Sequence, residues 1–400
     1  MGSPFSYSRD DLPEGWNKRR LGSLLQFRNG QDISGTDNEF DSYPVYGSGG
    51  EFKRTNHYLF DGPSILFGRK GTIDKPLLVD GRFWTVDTMF YTVPGPDVDP
   101  RFVHYWALVA PLSVLSTNTA VPSMTSTDLA QLYLAVPPLP TQRAIADYLD
   151  RETTEIDGMR ADLDEMERLL EERRETIIGT LLASTPSADC PIAVAADVTL
   201  GKMVQPTQKD SSERLAPYLR AAHIPQPGTL DTSVEYKEMW FAPREMELLT
   251  VCKGDVVVVE GGAGYGRSAL ISDDMKGWGF QNSIVRIRAF ESVACGPFIA
   301  YALRHAQALG QIEIAASTAT LPHFTAEKVS RFRIPLPPLA EQRRIADEID
   351  RETAEIDSML EDITKLRDLL VERRSAVISA AVTGEIDIPV SLDDKDEPHA

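Results

Sequence analysis

The sequence predicts an α+β fold: two mixed α/β lobes separated by two long helices that pair as an antiparallel coiled coil, with an internal pseudo-twofold repeat. A 16-residue segment recurs at an offset of 200 residues. Each copy begins a long stretch with helical periodicity, and each follows a segment of short β-rich runs broken by Gly, Pro and Asp. A length of 400 residues also suits more than one domain.

The repeat is clearest at the start of the helices. Residues 142–157 read QRAIADYLDRETTEID and residues 342–357 read QRRIADEIDRETAEID, so that 12 of 16 positions are identical. The match extends upstream through a Pro-Pro-Leu triplet that ends at Leu139 in one copy and at Leu339 in the other. Prolines are expected just outside a helix start. The segment is therefore a duplicated helix beginning.

Both helices carry an apolar residue every seven positions, which is typical of a coiled coil. These residues are Leu149, Ile156, Leu163, Leu170 and Ile177 in the first copy and Ile349, Ile356, Ile363, Leu370 and Val377 in the second. A second apolar row consists of Met159, Met166, Met359 and Leu366, and it is interrupted by Arg173 and Arg373. Equal length and phase predict that the two helices pair with each other. The alternative is two separate amphipathic helices, each packed on its own lobe.

The lobes combine short strands with one helix each. Residues 64–93 and 255–289 hold the β-rich runs, and residues 102–112 and 298–309 have a helical pattern. Gly30 corresponds to Gly201, an offset smaller than 200, so the register slips inside the lobes. The predicted organisation is lobe one at residues 1–139, a spacer helix at 140–184, lobe two at 185–339, a second spacer helix at 340–386 and a flexible acidic tail at 387–400.

The net charge of −19 is concentrated outside the lobes. Lobes one and two carry −3 and −1, whereas residues 140–184 and 340–400 carry −6 and −9. A basic face on each lobe is therefore compatible with the acidic total. The sequence shows neither a long apolar run nor a signal peptide, and we expect a cytoplasmic protein.

Motifs that carry chemistry are missing from the sequence. The glycine-rich residues 261–266 lack the ending of a phosphate-binding loop, and we predict a turn between strands there. Asp231, Glu235 and Lys237 imitate a nuclease triplet, but such short triplets are common. Cys190, Cys252 and Cys295 have no metal-ligand spacing and are expected to be buried thiols. We predict that the chain is not an enzyme and holds no metal or cofactor.

The residues LPEGWNKRRLGSLLQFRNG (12–30), SYPVYGSGG (42–50) and the repeated helix start resemble the specificity subunit of type I restriction–modification enzymes. The plan of lobe, helix, lobe and helix is similar as well. The resemblance implies that each lobe is a target-recognition domain reading one half of a bipartite site in double-stranded DNA. It implies that the helices fix the gap between half-sites and dock two methylation subunits, which bring S-adenosylmethionine. It also allows restriction subunits in the same complex.

Candidate DNA contacts are basic or amide side chains near loops, because Arg reads guanine and Asn or Gln reads adenine. In lobe one they are Lys53, Arg54, Arg69, Lys70, Thr72 and Lys75. In lobe two they are Arg220, His223, Tyr265, Arg267, Gln281 and Asn282. The alternative function is a protein-binding scaffold without direct DNA readout, which the acidic balance favours.

Overall fold

The computed structural model describes residues 12–33, 43–115, 122–316 and 322–388. Most of the predicted acidic tail lies outside these residues. The chain divides into two compact units, Met1–Asp164 with Thr364–Ala400 as unit one and Glu165–Ile363 as unit two. Each unit contains one lobe and a part of both long helices. The boundaries predicted between lobes and helices stay a prediction.

The two long helices are Leu139–Leu182 and Leu339–Thr383, which are α3 and α9 in chain order. Glu, Arg, Leu, Ala and Ile dominate both, and these residues either favour a helix or fill its buried side. No described helix is apolar over a long enough span to cross a membrane.

The described residues of lobe one form three sheets. Its strands and short helices are β1 (Asn17–Arg20), β2 (Leu25–Asn29), β3 (Tyr43–Gly47), β4 (Gly50–Thr55), β5 (Phe60–Asp61), β6 (Ser64–Gly68), β7 (Leu77–Val79), β8 (Arg82–Thr85), β9 (Met89–Pro94), α1 (Pro100–Val109), α2 (Ser126–Gln131) and β10 (Tyr133–Val136). The sheets have the orders β2-β9-β6-β7, β4-β3-β8-β5 and β1-β10. All pairs are antiparallel except β3 with β8, which is parallel.

Lobe two repeats this plan. Its elements are β11 (Asp189–Pro191), α4 (Ile192–Ala195), β12 (Ala196–Leu200), β13 (Arg214–Leu219), β14 (Lys237–Phe241), α5 (Pro243–Leu249), β15 (Val256–Val259), β16 (Ser268–Leu270), β17 (Gly279–Phe280), β18 (Ile284–Ala289), α6 (Gly296–Ala308), α7 (Gln311–Ala316), α8 (Ala326–Arg331) and β19 (Arg333–Pro335). The sheets are β12-β18-β15-β16, β14-β13-β17 and β11-β19, and β13 with β17 is again the parallel pair. The predicted α+β fold with two β-rich lobes and paired long helices is confirmed.

The two lobes differ most at one connection. Strands β3 and β4 are joined by a tight turn at Ser48 and Gly49, whereas residues 220–236 join β13 to β14. The glycines predicted to correspond do so: Gly30 donates its N–H to the Met89 carbonyl and Gly201 to the Ile284 carbonyl, each at 3.0 Å. A Cβ on either glycine would lie about 2 Å from a backbone oxygen, at 2.1 Å for Gly30 and 2.2 Å for Gly201. Only glycine allows this close approach.

In each unit the core joins the lobe to the helix pair. In unit one, Phe102 of α1 is in a buried cluster with Leu149 of α3 and Ile378 of α9. In unit two, Phe298 of α6 is in the corresponding cluster with Ile178 and Ile349. Both clusters place the start of one helix beside the end of the other, which is antiparallel pairing.

One predicted apolar row is buried or half-buried throughout, from Leu149 to Ile177 and from Ile349 to Val377. The second row was predicted incorrectly: Met166 and Leu366 are exposed, at 50% and 47%. The second row of buried positions is only partly apolar. In α3 it includes Ala146, Thr153 and Arg174, whose spacing keeps to multiples of seven.

Candidate nucleic-acid interface

In lobe one, the turn after β6 carries Arg69 and Lys70. The N–H of Arg69 donates to the Thr88 carbonyl at 2.7 Å, and its carbonyl accepts from the Met124 N–H at 3.1 Å. Gly71 follows with φ of +85°, and a Cβ there would lie 3.0 Å from Ser48 Oγ. The turn is thus held on both sides and lies against the turn between β3 and β4. Lys70 is exposed at its tip.

The other candidates of lobe one are distributed around this turn. Lys53 and Arg54 lie on β4. The segment at Gly71 contacts the tight turn that precedes this strand. Arg54 Nε is 3.1 Å from Glu51 Oε1. Thr72 is half-buried directly after Gly71, and Lys75 is exposed three residues later. The fold therefore gathers Lys53, Arg54, Arg69 and Lys70 on two adjoining turns and strands, with Lys75 further along the chain.

In lobe two, the candidates lie around residues 220–236. The Arg220 guanidinium donates to the Glu235 carbonyl at 3.2 Å. Arg267 Nη1 donates to the Pro225 carbonyl at 2.7 Å, which ties the turn between β15 and β16 to the same segment. That turn contains the glycine-rich residues 261–266, and its predicted position between strands is confirmed by the pairing of β15 with β16.

Gln281 and Asn282 join the same region through their backbones. The Gln281 N–H donates to the Leu219 carbonyl at 2.9 Å, and the Asn282 N–H donates to the Lys202 carbonyl at 2.8 Å. Lys202 was not among the predicted DNA contacts, because the sequence around a single lysine does not indicate which residues lie near it in the fold. Its ammonium contacts Glu245 and donates to the Trp240 carbonyl at 3.0 Å.

The prediction that His223 contacts DNA is corrected by the structure. Its side chain is fully buried, so it cannot reach DNA from this position. Nδ1 of the ring accepts the Arg220 N–H at 3.1 Å, and the ring packs edge-on against Trp278. Burial lowers the pKa of this imidazole. Tyr265 is half-buried against the core of lobe two, where its ring contributes mainly to packing.

Within residues 12–33, 43–115, 122–316 and 322–388, no three His, Cys, Asp or Glu side chains come together as metal ligands. The Asp231 carboxylate accepts hydrogen bonds from the hydroxyl and the N–H of Ser233, which lower its pKa and close a local turn. Cys252 is exposed rather than buried, because it lies in the turn that precedes β15.

Ion pairs between the long helices follow the repeat. In unit two, Arg174 contacts Asp357, and in unit one Arg374 Nε lies 3.6 Å from Asp157 Oδ1. The two pairs are equivalent, because each residue is replaced by its counterpart 200 positions away in the other helix. Tyrosines that hold the lobes to the helices repeat as well: the hydroxyl of Tyr105 donates to Asp150 at 2.6 Å, and that of Tyr301 donates to Asp350. Burial and the adjacent carboxylate raise the pKa of Tyr105 to about 12.

Unit two has an additional charge network. Glu171 accepts from Arg174 at 2.9 Å and from Arg304 of α6 at 2.8 Å, and Arg304 also contacts Glu175 at 2.6 Å. At the matching positions of α9 the residues are Val371 and Ser375, so the network was not duplicated. Lobe two is therefore attached to the helices by ion pairs of Arg304. Lobe one has Leu108 at the matching position.

Substitution of Glu171 by alanine should destabilise unit two, because two largely buried guanidinium groups would each lose a partner. We expect a loss of about 2 kcal/mol in the free energy of unfolding, which is less than for a fully buried pair because Glu171 is partly exposed. Urea denaturation of the full chain measures it. Val371→Ala is the matched control and should change stability by less than about 0.5 kcal/mol. Equal effects of the two substitutions would contradict a structural role for the network.

Comparisons with known proteins agree with this architecture. The sequence profile of the family described as type I restriction modification DNA specificity domain matches residues 13–168 and 246–366. Over 88 residues the chain is 35% identical to the type I restriction enzyme EcoBI specificity subunit of Escherichia coli, covering 22% of the chain and 18% of that protein. Over 175 residues it is 22% identical to the EcoDI specificity subunit of the same organism, covering 43% of the chain and 38% of that protein.

The chain thus aligns with well under half the length of these two relatives. A solved structure described as the structural basis of complex assembly and conformational transition of the type I R-M system is similar over 94% of this chain and 100% of that one. The TM-score is 0.68 at 16% sequence identity, which supports the fold.

Proposed function

Because the chain belongs to the family of type I restriction modification DNA specificity domains, we propose that it is the DNA-recognition subunit of a type I restriction–modification complex. Each lobe reads one half of a bipartite site in double-stranded DNA. The chain itself carries out no chemistry, and methylation is performed by partner subunits that bind S-adenosylmethionine. Restriction subunits belong to the same complex where the system cleaves DNA.

One observation carries the proposal: the lobes share a three-sheet plan and differ where their candidate DNA contacts lie. Lobe one offers Arg69 and Lys70 beside a tight turn between β3 and β4. Lobe two offers Arg220, Arg267 and Gln281 around the much longer connection at residues 220–236. Two similar frames with different contact surfaces suit the reading of two unequal half-sites.

The helix pair serves as spacer and docking surface in this proposal. Two identical partners require the same surface twice, and the duplication supplies it. Residues that are identical in the two copies and exposed in both include Arg143, Asp147, Arg151 and Glu155, with Arg343, Asp347, Arg351 and Glu355. We propose that these side chains contact the two methylation subunits. The acidic helices would weaken DNA binding by the isolated chain, so affinity depends on the partners.

Co-expression with the methylation subunit encoded nearby, followed by genome-wide mapping of methylated adenines, tests the function. The expected result is one split motif with two unequal halves. Exchange of residues 30–120 for the lobe of another family member should change one half of that motif and leave the other half as it was. A strain with the methylation subunit alone is the control.

Three outcomes would contradict the proposal. Specific methylation without this chain would show that recognition lies elsewhere. An unchanged motif after the exchange would support the scaffold without DNA readout. A change in both halves would show that the lobes do not read DNA independently.

A further inference from the structure

Each lobe exposes one aromatic side chain directly before a lysine of an equivalent strand. Phe52 of β4 precedes Lys53, and Tyr236 precedes Lys237, the first residue of β14. Both rings are 58% exposed. Within the described part of the chain, β4 and β14 are the outer strands of their sheets. An aromatic ring that remains this exposed contributes little to the core.

A β-bulge determines the direction of Phe52. Val45 pairs with Lys53 and Tyr46 pairs with Glu51, so Phe52 is the extra residue that faces no partner across the ladder. A bulge turns one side chain out of the regular alternation, and bulges are common beside functional sites. The ring rests against the turn at Gly47, where a Cβ would lie 3.4 Å from two of its carbons.

Two cationic residues follow Phe52 directly in the chain. Lys53 and Arg54 follow it on β4, and the turn bearing Arg69 and Lys70 contacts the adjoining turn at Ser48. In a chain of net charge −19 this is a local concentration of basic groups. A strand that carries basic residues beside an exposed apolar ring is complementary to nucleic acid, in which phosphates flank the apolar faces and methyl groups of the bases.

Tyr236 is the outermost of three rings that pack in a row. It packs against Trp278 with 6.0 Å between ring centroids, and Trp278 packs in turn against the buried His223 at 6.0 Å. The Arg220 guanidinium is bound to the carbonyl of Glu235, directly before Tyr236. The burial of His223 therefore has a role at the surface, because it supports the aromatic row that ends in Tyr236.

We propose that Phe52 and Tyr236 contact the bases of bound duplex DNA, one ring in each half-site, while the neighbouring cations bind phosphates. This inference rests on the proposed function and adds specificity residues to it. The rings make apolar contact with thymine methyl groups or insert partly between base pairs, as exposed apolar side chains of DNA-binding proteins do. The lobes would thus share an aromatic contact and differ in the polar residues around it.

The test uses the complex of the full chain with its methylation subunits and a duplex that carries the mapped site. Phe52→Ala and Tyr236→Ala should each weaken binding about 10-fold in fluorescence anisotropy, given the usual contribution of an aromatic ring against a base. Each should also relax the methylation motif at one position, in half-site one for F52A and in half-site two for Y236A. Phe52→Trp keeps an aromatic plane and should bind within about twofold of the wild type.

The control is Phe290→Ala, which removes an exposed ring at the end of β18 that is opposite to Gln281 and Asn282. It should leave affinity and motif unchanged. If F52A does not assemble, F52L provides the same comparison with F52W. Affinities and motifs of F52A and Y236A equal to those of F290A would overturn the aromatic contacts while leaving the proposed function intact. A wild-type complex without a split motif would overturn both.

Discussion

Insertion of seven residues into each long helix should lengthen the gap between the two half-sites by about three base pairs. One heptad adds about 10 Å to a helix at 1.5 Å per residue, and a base pair spans about 3.4 Å. A heptad also keeps the buried row of apolar residues in phase, with a rotation of only about 20°. The measurement is the methylation motif of cells that express the variant with its methylation subunit.

The structure fixes where the insertions belong. Placed between Asp164 and Glu165 and between Ile363 and Thr364, they fall at the boundaries of the two units. Every ion pair within unit one or unit two then keeps its partner, including the contact of Arg174 with Asp357. An insertion in only one helix is the control, and it should abolish specific methylation because the pairing loses its register. A double insertion that methylates with the original gap would remove the spacer role.

The helices were the most predictable part of the molecule. A duplicated segment and a row of apolar residues from Leu149 to Ile177 indicate helix pairing without any structure. The second row is not recognisable in the same way, because apolar residues do not occupy all of its positions. The buried positions there hold Ala146, Thr153 and Arg174, of which the arginine is buried because it meets Asp357.

The type of secondary structure in the lobes was predictable from the sequence, whereas the contacts between their side chains were not. Strand composition indicates short β-strands, yet the tight turn of lobe one and the connection at residues 220–236 decide which side chains are neighbours. The sequence does not indicate that His223 is buried under Trp278. It also gave no sign of the bulge that exposes Phe52, because a bulge depends on the register of the opposite strand.

The two residues of the repeated Gln-Arg pair at the start of each helix have different roles. Gln142 and Gln342 are buried, whereas Arg143 and Arg343 are exposed. Oε1 of Gln342 accepts the N–H of Cys295 at 3.2 Å, and Nε2 donates to the carbonyls of Val293 at 3.0 Å and Pro337 at 2.8 Å. Gln142 makes the same three contacts with Asp99, Asp97 and Pro137. Each glutamine therefore joins the lobe to the first turn of a long helix.

Substitution of either glutamine by alanine should cost about 3–5 kcal/mol in the free energy of unfolding, because three backbone groups lose their partner and a cavity remains. Urea denaturation of the full chain measures the loss. Arg143→Ala is the control from the same repeated motif and should cost less than about 0.5 kcal/mol, since that side chain is exposed. Equal losses for Q142A and R143A would contradict the role of the buried amide.

Gln342→Glu provides a separate signature of the same contacts. A carboxyl group buried against two carbonyl oxygens has a raised pKa in the folded state, because burial and the carbonyls disfavour its ionised form. The stability that the protonated carboxyl contributes is present below the unfolded pKa of about 4.3 and is lost as the pH rises towards the folded pKa. Relative to the wild type, Q342E should therefore become less stable as the pH increases from about 4.3. A variant whose stability follows the wild type across this range would show that residue 342 does not face the two carbonyls.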